Sequence, residues 1–530
     1  MLAHRSGQYS FSDTDEWYRK IPVRSVWHQL RTWSEEHIRD EDFSDWYAAG
    51  GRPSIPPSFL MTLLLLQVRQ GWSDSEAVDA AFFDDRAKYA LGLSRSPEMT
   101  CERSTLCKFR ARVLKEERDR ELLGDTLRTA AEAGLLGHDE DLVDSFMVSG
   151  AAARQGTYTL IGQAIRLVRR QLQQDGVALP IMRREDYETG KKAAIAWNNE
   201  QARKDLLQDL VADARTLVTY VEGYKEASEA LQQRAHLLST VTEQDIEVLA
   251  DGTVAIAQKV APDRVISTVD EEMRHGRKTT SVKRDGYKAH ILTTNVPSQE
   301  ARMVTAVIVT PANVADGDAS AELLTERKAL TGQVPAQMMG DTAYGSETVA
   351  QAVHKVAPET VVIAPVPPVG QRKGKFSKLD FDIDTKAHTV TCPAGHTVSY
   401  EPKRPRANVK PDRVVHMDPI HCEACPLRAQ CVDGKGPRSI TVRGDEAKMQ
   451  ERRQEQAQEE WQAHYCERSR VEHVNEQLTA HGGRQGRYIG ERKTTYQIRL
   501  CATVHNIMEM GRAQRNQTPI PSWVPEDQCA

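Results

Sequence analysis

Apolar and polar positions follow a helical period through about the first 135 residues of the chain. The stretch "PPSFLMTLLLLQVRQGW" (56–72) starts with two prolines, which suit the first turn of a helix. In the next segment, Ser73 and Glu76 have the spacing of a capping box. The pattern predicts a compact helical domain over residues 1–135.

One helix of this region carries a cluster of basic residues. The segment "CERSTLCKFRARVLKEE" (101–117) combines apolar positions with Lys108, Arg110 and Arg112. A helical domain with one basic helix is typical of a DNA-binding module, and these three side chains are its candidate DNA contacts. An ordinary helical bundle with a solvated basic face explains the same pattern equally well.

A strand-like segment, "DEDLVDSFMVSG" (139–150), follows and contains Asp144. About 110 residues of mostly helical character come next, over 150–260. Within them, residues 200–239 form one long amphipathic stretch. We expect a helical hairpin that serves as scaffold.

Strand patterns resume after this helical insertion, and two helices alternate with the later strands. Three strands, a helix, a strand, a helix and a strand make a mixed α/β order. A charged helix and an apolar helix, "TTYQIRLCATVHNIMEM", close the chain. The predicted strands are 139–150, 285–295, 301–311, a strand ending at Asp341, and 359–367, and the two helices are 317–330 and 346–356.

Composition restricts the class of protein. The chain has 530 residues with 39% hydrophobic and 27% charged content, so we expect a folded protein of two to four domains. The formal net charge is −5, so a nucleic-acid partner would have to be held by local basic patches. The longest apolar run (59–68) is too short to span a bilayer, and the first residues lack the apolar core of a signal peptide. We therefore expect a cytosolic protein with reduced thiols.

Four of the nine cysteines lie within 40 residues of one another, in a loop-rich insertion over 368–445. They read C-P-A-G-H and then C-x2-C-x5-C, which suits a closed tetrahedral Zn²⁺ site of structural type. His396 or His421 can replace one thiolate ligand, and the alternative is a set of reduced cysteines. The four candidate ligands are Cys392, Cys422, Cys425 and Cys431.

Three carboxylates occupy informative places in the predicted order. Asp144 lies in the first strand, Asp341 at the end of the fourth, and Glu472 on a late helix. Strand ends and a facing helix can bring such groups together. Their hard oxygens suit Mg²⁺ or Mn²⁺, and two such ions clamp the attacking and leaving oxygens of a phosphoryl displacement.

The late helix, "YCERSRVEHVNEQL", carries Tyr465, Arg468 and Glu472 at spacings of three and four residues. On a helical period these three side chains share one face. The plain alternative is a solvated helix with an Arg–Glu pair.

Taken together, these segments resemble the DDE transposases of bacterial insertion sequences, whose catalytic core is RNase H-like. "DLVDSF" is similar to the first catalytic strand, "GDTAYGS" to the second block, and "YCERSRVEH" to a signature written Y-x2-R-x3-E. The resemblance implies that Asp144, Asp341 and Glu472 are the catalytic acids and hold two Mg²⁺ or Mn²⁺ ions. It also places Tyr465 and Arg468 near the DNA. Residues 51–93, 104–113, 309–318 and 481–507 resemble the flanking segments of the family.

Two features depart from the family pattern. A fuller form of the signature has a lysine seven residues after the glutamate, where this chain has Thr479. Arg484 or Arg487 is the candidate replacement for that phosphate contact. The helical insertion also separates Asp144 from Asp341 by 197 residues (341 − 144).

Other polar residues near the predicted site have simpler explanations. Asp141 lies three residues before the first acid, on the other side of the strand, which favours a surface or capping role. Asp285 is expected in a hairpin turn. The basic run around it places Lys283, Arg284 and Lys288 either on the DNA backbone or on a solvated hairpin.

The resemblance implies a fold and a function. We expect a helical DNA-binding domain (1–135), an RNase H-like core (136–515) and a short tail (516–530). Such a protein binds the terminal inverted repeats of its element, cleaves DNA with metal ions and joins the freed 3′-hydroxyl to target DNA. Synapsis of two ends implies a homo-oligomer that acts at the bacterial nucleoid. The alternatives are a nuclease without strand transfer and a DNA-binding regulator. The intact set of three acids argues against the regulator.

Overall fold

The structure is a computed structural model that describes most of the chain. Residues 278–282, within the basic run, lie outside the described residues, as does nearly all of the predicted tail (518–530). The described residues are 2, 20–48, 50–93, 101–189, 192–259, 261–277, 283–296, 298–370, 373–402 and 412–517.

The described N-terminal part is helical, as the apolar period predicts. Ser73 and Glu76 form the predicted capping box, with the Ser73 backbone N–H donating to Glu76 Oε2 at 2.7 Å. The most apolar helix starts at Pro57 and is buried along nearly its whole length. None of the described helices is both long and apolar enough to cross a membrane. The helices are α1 Val26–His37, α2 Pro57–Gln70, α3 Asp74–Phe83, α4 Asp85–Ala90, α5 Arg103–Lys115 and α6 Arg118–Glu132.

A six-stranded mixed sheet forms the centre of the fold. Its order is β4-β5-β1-β7-β8, and β6 also pairs with β5. Strands β4, β1 and β6 run antiparallel to β5, whereas β7 and β8 continue the sheet parallel to β1. This arrangement confirms the predicted mixed α/β, RNase H-like core. The strands are β1 Glu140–Ser149, β4 Arg274–Arg277, β5 Lys283–Thr294, β6 Val304–Pro311, β7 Gln337–Met339 and β8 Val361–Ile363.

The two faces of the sheet are covered by different helices. Val143 and Met338 point to the face packed by helices α10 (Ser320–Thr331) and α11 (Glu347–Val356). Phe146 points to the other face, because neighbouring side chains of a strand alternate. The long helix α17 (Glu491–Gln517) covers that second face.

A single apolar core joins the N-terminal helices to the sheet. Leu30 of α1, Leu64 of α2, Phe146 of β1, Ile291 of β5 and Ile507 of α17 all belong to it. Helix α17 packs on α1, α2, α6 and β6. Burial on this scale makes the N-terminal helices part of the support of the sheet.

Three helices and a short hairpin lie between β1 and β4 and have an apolar core of their own. The predicted helical hairpin is confirmed, since α8 and α9 pack on each other and on α7. These elements are α7 Thr157–Gln174, α8 Glu200–Gly223, α9 Glu229–Glu243, β2 Ile246–Val248 and β3 Val254–Ile256.

The cysteine-containing stretch forms two small sheets beside the main one. A run of helices then leads back to the face of the sheet covered by α17. The elements are β9 Asp382–Asp384, β10 Thr389–Thr391, β11 Thr397–Ser399, β12 Arg413–His416, α12 Pro419–Glu423, α13 Arg428–Cys431, β13 Ser439–Val442, α14 Glu446–Gln456, α15 Glu459–Tyr465 and α16 Ser469–Leu478.

Two predicted turn or surface residues lie elsewhere. Asp141 is fully buried and accepts a hydrogen bond from Arg327 Nε at 3.1 Å and from Thr305 Oγ1 at 2.9 Å. The predicted surface or capping role is therefore wrong, because Asp141 lies on the buried face of β1 and is the charge partner of the Arg327 guanidinium. Asp285 lies inside β5 and pairs with His275 Nδ1 at 2.6 Å, so the predicted turn position is also wrong.

Candidate active site

The first two predicted acids stand at matching positions of neighbouring strands. Strands β1 and β7 run parallel, with Leu142 opposite Met339. Asp144 and Asp341 each follow two residues after that pair. Parallel neighbours lie about 4.8 Å apart, so the register brings the two carboxylates to one edge. Asp341 caps a short 3₁₀ turn, where its Oδ1 accepts the Ala343 backbone N–H at 2.8 Å.

Helix α16 packs over this edge and contacts Asp144 directly. Asn475 Nδ2 donates to Asp144 Oδ2 at 2.8 Å. A guanidinium nitrogen of Arg468 lies 3.6 Å from Asp144 Oδ1. These contacts fix the orientation of the first carboxylate, and Asn475 is a site residue that the sequence analysis missed. Its position three residues after Glu472 was the available signal.

Tyr465, Arg468 and Glu472, which were predicted to share one helical face, lie at the edge of this site. Arg468 donates to Glu472 Oε1 at 2.9 Å, and the Glu472 side chain is 64% exposed. The Tyr465 ring stacks on Trp461, with ring centroids 4.8 Å apart. The charges of all three predicted acids act on the Tyr465 hydroxyl. Arg468 therefore links the first and third acids through one guanidinium.

Burial raises the pKa of Asp144 to about 6. The negative charges of Asp341 and Asp316 raise this pKa further, while the Ser145 backbone N–H and Arg468 oppose the rise. A buried carboxylate with like charges beside it favours its protonated form.

Asp144 makes the stability of the metal-free protein depend on pH. Its pKa rises from 3.8 to about 6 on folding, so the folded chain binds more protons between these values. Stability must then fall as pH rises through that window, by up to about 2–3 kcal/mol. We expect Asp144→Asn to lack this component. Urea unfolding of both proteins in chelator, at several pH values, checks it, and parallel stability curves would contradict it.

Asp316 is a fourth carboxylate near the site that the sequence analysis did not assign. It follows β6 and accepts a hydrogen bond from Ser145 Oγ at 2.8 Å. The Lys288 ammonium lies 2.8 Å from its Oδ1. The buried Tyr344 hydroxyl, which has no hydrogen-bond partner among the described residues, feels the charges of Asp316, Asp144 and Asp341. The sequence signal for Asp316 was the segment "VTPANVADGD" (309–318), which resembles the family and contains this acid.

Two segments of the chain match known protein families. Residues 391–511 match the family described as "Transposase DDE domain", and residues 15–112 match "Transposase domain (DUF772)". The chain is an insertion-sequence DDE transposase. The first match includes Glu472, whereas Asp144 and Asp341 lie between the two matched segments. No curated protein and no solved structure matches the chain.

DNA is therefore a partner of this transposase, and its family consists of nucleic-acid-cleaving enzymes that generally use divalent metal ions. Asp144 and Asp341 suit such an ion, since both are hard oxygen donors and each is a charged neighbour of the other. Glu472 is engaged with Arg468 instead. Among the described residues, no three acidic, imidazole or thiol groups are gathered closely enough to hold a metal ion.

The predicted DNA contacts of the transposase divide into exposed and internal side chains. Arg110 is buried and paired with Asp74 at 2.5 Å, and Lys288 bonds to Asp316 and to the Val314 carbonyl. Arg487 donates to the Trp72 carbonyl. Arg110 and Lys288 thus pair with carboxylates of the protein, and Arg487 bonds to a backbone carbonyl, while the predicted DNA contacts of all three stay predictions. Lys108, Arg112, Lys283 and Arg484 are exposed.

The four clustered cysteines of the transposase line one cavity, together with His396 and His421. The two imidazole rings stack with centroids 4.1 Å apart. Burial raises the pKa of the Cys431 thiol, and the other three thiols are charged neighbours that raise it further. The predicted ligands are thus brought to one place, although in the described residues they are not gathered around one point.

Proposed function

We propose that this transposase binds the terminal inverted repeats of its element, cleaves the DNA at the ends and transfers the freed 3′-hydroxyl to target DNA. The observation that carries the proposal is the register of β1 and β7, which aligns Asp144 with Asp341 beneath helix α16. Two aligned acids, of which Asp144 is only 16% exposed, lie beside Arg468. This arrangement suits a phosphodiester substrate, which brings both negative charge and a need for cations.

We assign each side chain a role that agrees with its position. Asp144, Asp341 and Glu472 would hold two Mg²⁺ or Mn²⁺ ions, which would supply charge neutralisation and an activated water. Asn475 keeps the Asp144 carboxylate oriented through the 2.8 Å hydrogen bond. Tyr465 and Arg468, at the rim, hold the DNA strand beside the acids. The partly buried setting of Asp144 strengthens its hydrogen bond with Asn475.

Cleavage of a labelled duplex tests the proposal. The duplex carries the sequence that flanks the coding region, and the full chain is incubated with Mg²⁺ or with chelator. We expect Mg²⁺-dependent nicking at the element end, followed by joining of that strand to a second duplex. Random nicking without joining would instead identify a nuclease, and binding without nicking would identify a regulator.

Recognition of the ends is proposed to involve the exposed side of α5. Lys108 and Arg112 lie on this side, whereas Arg110 points inward. Lys108→Ala and Arg112→Ala should each weaken DNA binding and reduce the slope of log K against log salt by roughly one unit, because each removes a phosphate contact. Fluorescence anisotropy over a salt series measures this.

The control for this prediction is Lys328→Ala, an exposed lysine on α10 that should leave both affinity and slope unchanged. Arg110→Ala should lower stability instead, since it removes the cation that pairs with the Asp74 carboxylate and donates to Gln67. Unchanged salt slopes in both α5 variants would remove the proposed contact surface.

The cysteine cavity is proposed to hold one structural Zn²⁺. Purified protein should then contain about one zinc per chain by elemental analysis. Cys425→Ser should lose that metal and lower the melting temperature, since a structural zinc contributes folding energy. Cys107→Ser, an exposed thiol on α5, is the matched control and should keep both. Metal-free wild-type protein with an unchanged melting temperature would contradict the assignment to Cys392, Cys422, Cys425 and Cys431.

The active assembly is proposed to be a homo-oligomer. Joining two element ends requires two DNA sites, and each chain presents one set of Asp144, Asp341 and Glu472. Light scattering of the protein with a terminal duplex should therefore show at least two chains per complex.

A further inference from the structure

Arg468 stands between two of the catalytic carboxylates. Its guanidinium lies 3.6 Å from Asp144 Oδ1 and donates to Glu472 Oε1 at 2.9 Å. The Arg468 side chain is 17% exposed, similar to the 16% of Asp144. One guanidinium of the chain therefore contacts two of the three acids that are proposed to hold metal ions.

This contact explains why the three acids do not gather. Glu472 lies one helical turn after Arg468, so the pair is held within α16 and the short 3₁₀ turn before it. As long as Glu472 pairs with this guanidinium, it does not join Asp144 and Asp341. The guanidinium also neutralises part of the charge of the ionised Asp144 carboxylate.

We propose that Arg468 is a positioning residue that keeps the catalytic carboxylates apart until a DNA phosphate takes its guanidinium, so that DNA binding prepares the site for a divalent cation. This inference rests on the proposed function and adds an order of binding to it. The substrate phosphate and the carboxylates compete for one guanidinium, and the divalent cation and the guanidinium compete for the same carboxylates.

The geometry makes this exchange feasible. The Arg468–Asp144 separation of 3.6 Å is longer than a normal hydrogen bond, and Glu472 is largely exposed, so both contacts are weak. A phosphodiester offers the guanidinium two oxygens in the bidentate arrangement that it prefers. DNA therefore replaces weak internal contacts by a stronger one and releases two carboxylates.

Linkage between the two ligands follows. If DNA releases the carboxylates, DNA must tighten divalent-cation binding, and the cation must tighten DNA binding by the same factor. Without DNA the site binds a cation weakly. The chain would then hold few catalytic ions when it is away from DNA, which limits cleavage by misplaced ions.

Mn²⁺ binding to the full chain tests the proposal. The signal of free Mn²⁺ is followed by electron paramagnetic resonance, with and without a short mixed-sequence duplex, at a pH well above the pKa of Asp144. We expect Arg468→Gln to bind Mn²⁺ about ten-fold more tightly than wild type in the absence of DNA. DNA should tighten binding by wild type and leave the affinity of Arg468→Gln nearly unchanged.

The matched control is Arg470→Gln, which lies two residues away and pairs with Glu467 at 2.7 Å. This variant should bind Mn²⁺ with the affinity of wild type, both with and without DNA. Equal Mn²⁺ affinities of wild type and Arg468→Gln without DNA would overturn the inference while leaving the proposed function in place. In a further comparison, Asp144→Asn is titrated with Mn²⁺ in the presence of DNA. If wild type, Arg468→Gln and Arg470→Gln then bind Mn²⁺ no more tightly than Asp144→Asn, the proposed function and the inference are both overturned.

Discussion

Glu472→Gln should fold and bind element ends nearly as wild type does, yet lose cleavage and strand transfer by on the order of 10³-fold. The amide has almost the shape of the carboxylate, but it lacks the charge that a divalent cation requires. Asp144→Asn and Asp341→Asn should behave alike. Their combined losses should be smaller than the product of the single losses, because the three acids act as one site in the proposed mechanism. Quantified gels of a labelled terminal duplex measure both steps.

The matched control is Glu476→Gln. Glu476 lies one turn further along the same helix, its side chain is 81% exposed, and its imidazole neighbour, His473, is 3.9 Å away. The same chemical change at this position should leave cleavage near normal. Cleavage within a few-fold of wild type in Glu472→Gln would return the Arg468–Glu472 pair to a surface role worth about 0.3–0.5 kcal/mol.

Asp141→Asn should destabilise the protein by about 3–5 kcal/mol. Asp141 and Arg327 are both fully buried, with Nε and Oδ2 3.1 Å apart, so neutralising the aspartate leaves a guanidinium charge without its partner inside the core. The remaining hydrogen bonds of Arg327 go to neutral groups, including the Gly137 and Gln333 carbonyls. Urea unfolding followed by circular dichroism gives the free energy of unfolding.

A double replacement separates the lost charge partner from a general need for packing. Asp141→Leu with Arg327→Met removes both charges and should recover much of the loss, because a buried ion pair contributes little beyond an apolar pair of similar volume. A single Asp141→Asn variant with the stability of wild type would show that the pair is not needed for the fold.

Local patterns predicted most of the architecture. The alternating segments around Asp144 and the short apolar run before Asp341 are strands in the structure, in the predicted order. Strand formation and helix caps depend on residues near in sequence, as the Ser73–Glu76 capping box illustrates. The assignment of catalytic roles to the three acids rests on the family resemblance and stays a prediction.

Burial of charged residues was not predictable from the same patterns. Arg110 and Lys108 lie two positions apart on one helix, and the sequence offered no sign that only Arg110 faces Asp74. Asp141 meets Arg327 across 186 residues of chain, a separation at which no local rule applies. Asp316 reaches the site by the same kind of long-range contact, through Ser145. Tertiary packing decides such pairs, because it determines which charges leave water.

The shared apolar core limits which truncations and domain exchanges of this gene can give a folded protein. Helix α17 covers one face of the sheet and also packs on α1, α2 and α6. A premature stop codon before this helix would leave apolar surface uncovered on both the sheet and the N-terminal helices. Such a chain would aggregate or be degraded. Truncated copies of the gene should therefore give no folded product, rather than an inhibitor that competes with the full chain for DNA. Exchange of the N-terminal helices between related elements would need matched changes in α17.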